Sequence, residues 1–165
     1  MSQLTTIEVA KEYLKFSAAH FTVFSATERE RLHGHNYSVS AKVTAEVDDN
    51  GLCFSYGEMK SRMRALCDSL DEYTLIAADS PHLTIAEEGP YQRVEFNGEV
   101  MLLLKSDTLL LPIRNATVEE FSRYLLEKLR EDRDFFGRYP CRSIEITVHS
   151  GPGQSATTLW CGDGA

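Results

Sequence analysis

Residues 33–47 of the sequence read His-Gly-His-Asn-Tyr-Ser-Val-Ser-Ala-Lys-Val-Thr-Ala-Glu-Val. From Tyr37 onward, apolar or small residues alternate with polar ones, which is the period-two pattern of a strand with one buried face. His33 and His35 open this strand in phase with Tyr37, so both imidazoles are expected on the buried face. The stretch predicts a long strand that carries two histidines on one side of its first residues.

The segment before it, residues 5–20, predicts a second strand. Four of its residues fall in phase at period two: Leu14, Phe16, Ala18 and His20. Antiparallel pairing of the two strands would bring His20 near His33 and His35. Three imidazoles on a rigid sheet leave a fourth coordination position open, as in catalytic zinc sites. The alternative is a turn with two surface histidines, beside an edge residue at His20.

Two helices are indicated further along the chain. Ser55 and Thr117 are helix-capping residues, each followed three residues later by glutamate. Helical spacing then places apolar residues on one face of each segment: Met59, Met63, Leu66 and Leu70 in the first, and Phe121, Leu125 and Leu129 in the second. Gly137, Tyr139 and Pro140 are expected to end the second helix.

Strands at 142–149 and 155–160 complete the order ββααββ, which indicates the α+β class. Between the helices lies a long piece, about 75–116, in which Asn97-Gly98 separates two apolar runs and so predicts a hairpin. We interpret 91–112 as an inserted hairpin or three-stranded excursion. The whole chain, 1–165, is then expected to form one domain.

Composition excludes several classes of function. The 17 basic and 25 acidic residues give a net charge of −8, so no nucleic-acid partner is expected. No apolar run approaches the roughly 18 residues of a membrane helix. The four cysteines lie far apart, and the N-terminus lacks a basic region followed by an apolar run. We therefore expect a cytoplasmic protein with free thiols and no membrane partner.

Two motifs resemble a known family. Phe16-Ser-Ala-Ala-His-Phe21 and Leu32-His-Gly-His-Asn-Tyr37 look like the signature of the 6-pyruvoyl-tetrahydropterin and 6-carboxytetrahydropterin synthases. Further similarities follow in order: Tyr56-Gly-Glu-Met-Lys60, Leu70-Asp71 and Ala116-Thr-Val-Glu119. The resemblance covers the chain except for 75–115, which is longer than usual in the family.

The resemblance implies the tunnelling fold (T-fold), an antiparallel sheet with two helices on one face. It also implies rings of three subunits, two of which stack into a homohexamer with sites between subunits. Zinc would be held by His20, His33 and His35, and Thr117 is a candidate substrate-binding residue. The implied substrate is 7,8-dihydroneopterin triphosphate or a pterin-like relative.

The sequence departs from the family pattern at the general base. The family's cysteine lies four residues before the first histidine of His-Gly-His, where this chain has Arg29. Arginine stays protonated and cannot act as a base. Glu28 and Glu30 are the candidates to replace it, as in a branch of the family that uses glutamate, once desolvation raises the carboxyl pKa. The alternative is a solvated charged loop.

Two further family positions differ. Glu72 follows Asp71 where the family has an Asp-His pair, so Asp71 and Glu72 are catalytic candidates or merely exposed charge. His149 stands where the family has a pterin-binding glutamate and becomes a candidate substrate-binding residue. It falls out of phase with the apolar positions of its strand, so it is expected on the other face.

The sequence therefore supports two main hypotheses. The first is a zinc-dependent lyase of this family, with altered catalytic residues, that acts on a pterin-like substrate. The second is a catalytically inactive homologue that binds zinc or a small molecule. A third, a structural subunit that assembles with a related active chain, is also open.

Overall fold

The computed structural model describes residues 3–162, so both ends of the expected domain 1–165 lie outside it. The strands are β1 (Leu4–Val9), β2 (Lys15–His20), β3 (His33–Glu46), β4 (Tyr73–Ala77), β5 (Thr84–Glu88), β6 (Tyr91–Phe96), β7 (Glu99–Leu104), β8 (Thr108–Leu111), β9 (Cys141–His149) and β10 (Ser155–Cys161). The helices are α1 (Tyr56–Asp68), α2 (Val118–Arg130) and α3 (Arg133–Arg138), with a 3₁₀ turn at Lys105–Asp107.

The long strand β3 organises the main sheet, whose order is β10-β9-β3-β2-β4-β8, with β1 also paired to β3. The prediction of one strand over 5–20 is wrong. A turn closed by the Leu14 N–H bond to the Lys11 carbonyl divides this segment. β1 then pairs with the second half of β3, and β2 pairs with the first half.

Both predicted helices pack on one face of the main sheet, as expected. The side chains of Ser55 and Thr117 cap α1 and α2 by accepting the N–H groups of Glu58 and Glu120. The second helix ends earlier than predicted, at Arg130, because Asp132 caps a separate short helix, α3. Within residues 3–162, no helix combines the length and apolar character needed to cross a membrane.

The region between α1 and α2 contains more strands than the predicted order ββααββ allows. β4 was not predicted, and it pairs in parallel with both β2 and β8. The expected all-antiparallel sheet is therefore mixed at this edge. Parallel pairing is feasible here because α1 and the inserted strands supply the long crossover connections.

A second, three-stranded sheet forms the predicted excursion, but it spans β5 to β7 rather than 91–112. Asn97 and Gly98 form the β6–β7 turn with positive φ angles, as the hairpin signal indicates. This inserted sheet packs against β4 and the loop that follows β2. Its small core comprises Phe21, Val23, Ile76, Val94 and Phe96.

Candidate metal centre and active site

Three histidines meet where β2 and β3 run side by side. His20 lies directly opposite His33 in the antiparallel register, and His35 is two residues further along the same face. Ring centroids are 4.7 Å apart for His20–His33, 5.2 Å for His20–His35 and 4.8 Å for His33–His35. One ring nitrogen from each residue lies within 4.8 Å of the others. The predicted convergence of the three imidazoles is confirmed.

Backbone carbonyls orient two of these rings. His20 Nδ1 lies 2.8 Å from the Ala116 carbonyl oxygen, and His33 Nδ1 lies 2.7 Å from that of Arg31. A carbonyl only accepts, so each Nδ1 carries a proton, and in the neutral form of either ring Nε2 is the nitrogen with a lone pair. His33 Nε2 lies 3.0 Å from His35 Nε2. The Nε2 atoms of these two rings therefore face a shared position.

These residues fit a divalent metal ion. His20 Nε2 is buried without a hydrogen-bond partner in the structure, although buried polar atoms are rarely left unpaired. Burial lowers the pKa of His20, and His33 and His35 act in the same direction, which favours the neutral imidazole that binds metals. Two nitrogens on a tetrahedral zinc lie roughly 3.3 Å apart, close to the His33–His35 separation.

Glu30 is the carboxylate that the structure brings to the histidines. One of its oxygens lies 4.0 Å from His33 Nε2 and accepts the Thr22 N–H at 3.0 Å. The expectation of a raised pKa is wrong. Burial acts to raise the pKa of Glu30, but hydrogen bonds with Thr22 and the neighbouring His33 hold it below the ordinary value. Glu30 is therefore ionised at neutral pH and available to accept a proton.

Glu28, the other candidate base, lies elsewhere. It is exposed at the tip of the loop between β2 and β3, where its N–H donates to the Ser25 hydroxyl. In this small hairpin Phe24 and Ser25 donate their N–H groups to the Glu28 carbonyl. The hairpin directs Glu30 towards the histidines and leaves Glu28 in solvent, so the assignment of Glu28 as base is not supported.

A cavity of about 230 Å³ opens beside the histidines and joins three parts of the chain. Thr117, the predicted substrate-binding residue, lines it from the start of α2. The complete lining is His20, Thr22, Phe24, Glu30, His35, Tyr37, Thr117, Val118, Glu119, Ser150 and Gln154. Sequence reasoning missed the contribution of Ser150 and Gln154, which flank the turn between β9 and β10.

Tyr37 is a further residue of this cavity that the sequence analysis treated only as core. Its ring lies 5.8 Å from the rings of both His20 and His35. Its hydroxyl is buried without a hydrogen-bond partner in the structure. Burial raises the pKa of Tyr37 well above its ordinary value, and Glu30 adds to this effect. Its phase with His33 and His35 was the signal that could have revealed it.

The remaining candidates do not reach this cavity within one chain. Asp71 and Glu72 lie on the outer face of the β2–β3 pair, where an Asp71 oxygen accepts the Ser17 N–H at 2.7 Å. His149 pairs with Ser38, whose side chain points away from Tyr37, so His149 also lies on the outer face. Strand alternation explains the position of His149, and the turn after α1 explains that of the two acidic residues.

A cluster of three imidazoles beside an ionised carboxylate defines a candidate metal-dependent enzyme site. The family described as 6-pyruvoyl tetrahydropterin synthase matches residues 8–159, and the chain belongs to this family.

Two known proteins illustrate the similarity. The structure of Plasmodium vivax 6-pyruvoyl tetrahydropterin synthase has a TM-score of 0.91 and 28% identity, covering 96% of this chain and 99% of the other. A Methanocaldococcus jannaschii protein, provisionally named 6-carboxy-5,6,7,8-tetrahydropterin synthase, is 25% identical over 87% of this chain and 88% of its own length. The predicted tunnelling fold is confirmed.

A further structure of the Plasmodium vivax protein, with the same TM-score and coverage, is of a variant. A glutamate described as a catalytic residue is replaced there by alanine. That protein therefore has a catalytic glutamate.

Proposed function

We propose that the protein is a zinc-dependent lyase that acts on 7,8-dihydroneopterin triphosphate or a closely related pterin, with Glu30 in place of the family's usual cysteine base. The observation that carries this proposal is the arrangement around Nε2 of His20 and His33. Backbone carbonyls leave both nitrogens free to bind a metal, and the Glu30 carboxylate lies 4.0 Å from one of them.

The proposed chemistry divides between the metal and the chain. Zinc held by His20, His33 and His35 would polarise an oxygen of the substrate side chain. Glu30, ionised at neutral pH, accepts a proton from that side chain. Tyr37 keeps its proton and can donate a hydrogen bond within the cavity. The catalytic glutamate of the Plasmodium vivax protein supports a carboxylate base in this role.

Recognition of a pterin requires an acceptor for the two N–H groups of its amino-pyrimidine edge. A carboxylate provides two parallel acceptors, whereas an imidazole does not. Glu119 is exposed in the first turn of α2 and lines the cavity, so we assign this role to Glu119 rather than His149. Thr117 and Ser150 supply hydroxyl groups beside it.

We further propose that the chain forms one domain and assembles as a homohexamer of two stacked trimers. The outer-face residues Asp71 and Glu72 could then meet the site of a neighbouring copy. Glu72 is exposed and has a positive φ of 64°, which is uncommon for this residue type. The four free cysteines support a reducing compartment such as the cytoplasm.

The experiment that tests the activity uses zinc-loaded protein and 7,8-dihydroneopterin triphosphate, with release of triphosphate and aldehyde followed separately. We expect turnover by the unchanged protein and a loss of about 100-fold or more in kcat for Glu30→Gln. Glu28→Gln is the matched control, because it removes the same charge two residues away and should keep full activity. Full activity of Glu30→Gln would exclude this base.

Assembly is tested by mixing two variants. If sites are shared between copies, Glu30→Gln and Glu72→Gln subunits, each weak alone, should recover activity in mixed hexamers, because some sites contain both intact residues. Native mass spectrometry should show about six times the 18.6 kDa chain mass. A zinc-loaded protein that binds the pterin but never turns it over would instead favour the inactive binding homologue.

A further inference from the structure

We propose that Arg29 is a positioning residue that holds the Glu30 loop in place by clamping it to the inserted sheet. This inference rests on the proposed role of Glu30 as the base. It assigns a purpose to the arginine that stands at the family's cysteine position, and it gives the inserted sheet β5–β7 a part in building the site.

The guanidinium of Arg29 lies away from solvent, between two aromatic rings. Its central carbon is 5.4 Å from the ring centroid of Phe21 and 5.7 Å from that of Phe96, and its side chain is only 18% exposed. Phe21 follows β2, whereas Phe96 ends β6 of the inserted sheet. Cation–π contacts at such a shielded position are stronger than at the surface. The arginine thus joins two separate parts of the fold.

Both terminal nitrogens of the same guanidinium form hydrogen bonds. One terminal nitrogen donates to the Glu30 carbonyl oxygen at 2.8 Å, and the other donates to the Glu99 carboxylate at 2.9 Å. Glu99 begins β7, at the turn of the β6–β7 hairpin. The planar fork of arginine can serve both acceptors at once, which a lysine ammonium does less well. The Arg29 guanidinium therefore connects the Glu30 backbone to the inserted sheet.

The local backbone explains why this tie matters for Glu30. Arg29 pairs with Val23 in an isolated antiparallel bridge, and the Glu30 N–H donates to the Thr22 carbonyl at 2.8 Å. Successive residues of an extended segment point to opposite sides. Arg29 therefore points to the inserted sheet, and Glu30 points to the histidines. Fixing the first side chain fixes the direction of the second.

This arrangement predicts a specific kinetic effect. Without Arg29 the histidines keep their own backbone contacts, so zinc binding should persist while Glu30 loses its fixed position. A misplacement of about 1 Å can reduce a rate by roughly 100-fold. The loss should appear in kcat, because Glu119 and Thr117, which would contact the pterin, lie on a different element.

The experiment compares Arg29→Met, which retains an apolar stem, with Arg29→Lys, which retains one charged donor. We expect Arg29→Met to lower kcat by about 10- to 100-fold, with KM within about threefold and full zinc content. Arg29→Lys should recover part of that loss. Arg93→Met is the matched control, because Arg93 forms ion pairs within the inserted sheet but does not touch the Glu30 loop. It should leave kcat unchanged.

A double variant decides whether Arg29 acts through Glu30. Arg29→Met added to Glu30→Gln should cause no further loss, because the residue being positioned is already disabled. An equal loss in both backgrounds, or a loss of zinc, would overturn the inference. If Glu30→Gln itself remains active, the proposed base is wrong. Hydrogen exchange at the backbone amides then tests whether Arg29 holds the loop in place. Faster exchange confined to residues 22–31 in Arg29→Met supports the clamp, and unchanged exchange refutes it.

Discussion

The two faces of the β2–β3 pair differ in how their polar groups are used. On the outer face, the Ser17 hydroxyl donates to Asn36 at 2.6 Å, and the Ser17 N–H donates to Asp71 at 2.7 Å. On the inner face, His20 Nε2 and the Tyr37 hydroxyl are buried with no partner in the structure. Unpaired buried polar atoms are costly, so these two neighbouring atoms on the inner face mark a place where a ligand is needed.

The largest effect should come from removing a histidine of the inner face. His20→Ala should lower zinc affinity by more than 100-fold, since losing even an outer partner of a metal ligand typically costs 10- to 100-fold. Competition with a chromogenic chelator measures this. His149→Ala is the control on the outer face and should bind zinc as tightly as the unchanged protein. Equal losses in the two variants would show that the faces do not differ in this way.

Much of this contrast could be predicted from the sequence, because it depends on strand periodicity. The alternation around His33, His35 and Tyr37 predicted the shared face, and the phase of His20 predicted the third member. Ser55 and Thr117 predicted where the helices begin, since a cap depends on nearby residues alone. The Asn97-Gly98 pair likewise predicted the turn of the inserted hairpin, because turn type also depends on nearby residues.

The parts that could not be predicted depend on contacts between distant segments. The parallel pairing of β4 with β2 and β8 has no local signal, because it arises only when the crossover connections fold back. The choice between Glu28 and Glu30 depends on the hairpin that the loop forms with Thr22. The lowered pKa of Glu30 likewise comes from the Thr22 hydrogen bonds of that hairpin and from the nearby His33 and His20, whereas burial opposes it.

A second prediction concerns the segment that orients His20 on the inner face. Glu120 is buried and accepts hydrogen bonds from the Arg114 N–H and from the Arg123 guanidinium, beside Ala116. Burial opposes this charge, but these bonds lower the pKa of Glu120 to about 2. The lowered pKa contributes at most about 3 kcal/mol of stability. Glu120→Gln should therefore lower the free energy of unfolding by roughly 2 kcal/mol at pH 7.

The direction in which the free energy of unfolding changes with pH tests this role of Glu120. The contribution is complete above the unfolded-state pKa of glutamate, about 4.3, and is lost as the pH falls towards 2. Urea denaturation at pH 7, 4 and 3 should show the gap between the unchanged protein and Glu120→Gln narrowing with acid. A gap that is constant or grows with acid would contradict the assigned role.

The smallest effect should come from the outer face, where Asp71 already has a structural partner. Asp71→Ala removes the acceptor of the Ser17 N–H and should cost about 1 kcal/mol in unfolding free energy. Asp68→Ala is the matched control, because its ion pair with Arg64 is long, 3.8 Å, and both side chains are more than 60% exposed. Such a pair contributes little, so Asp68→Ala should change stability by less than about 0.5 kcal/mol.

Equal stabilities for the two variants would mean that Asp71 does not support β2. Its retention beside Glu72 would then be better explained by a role at the site of a neighbouring copy, which the mixed-subunit assay with Asp71→Ala would test directly.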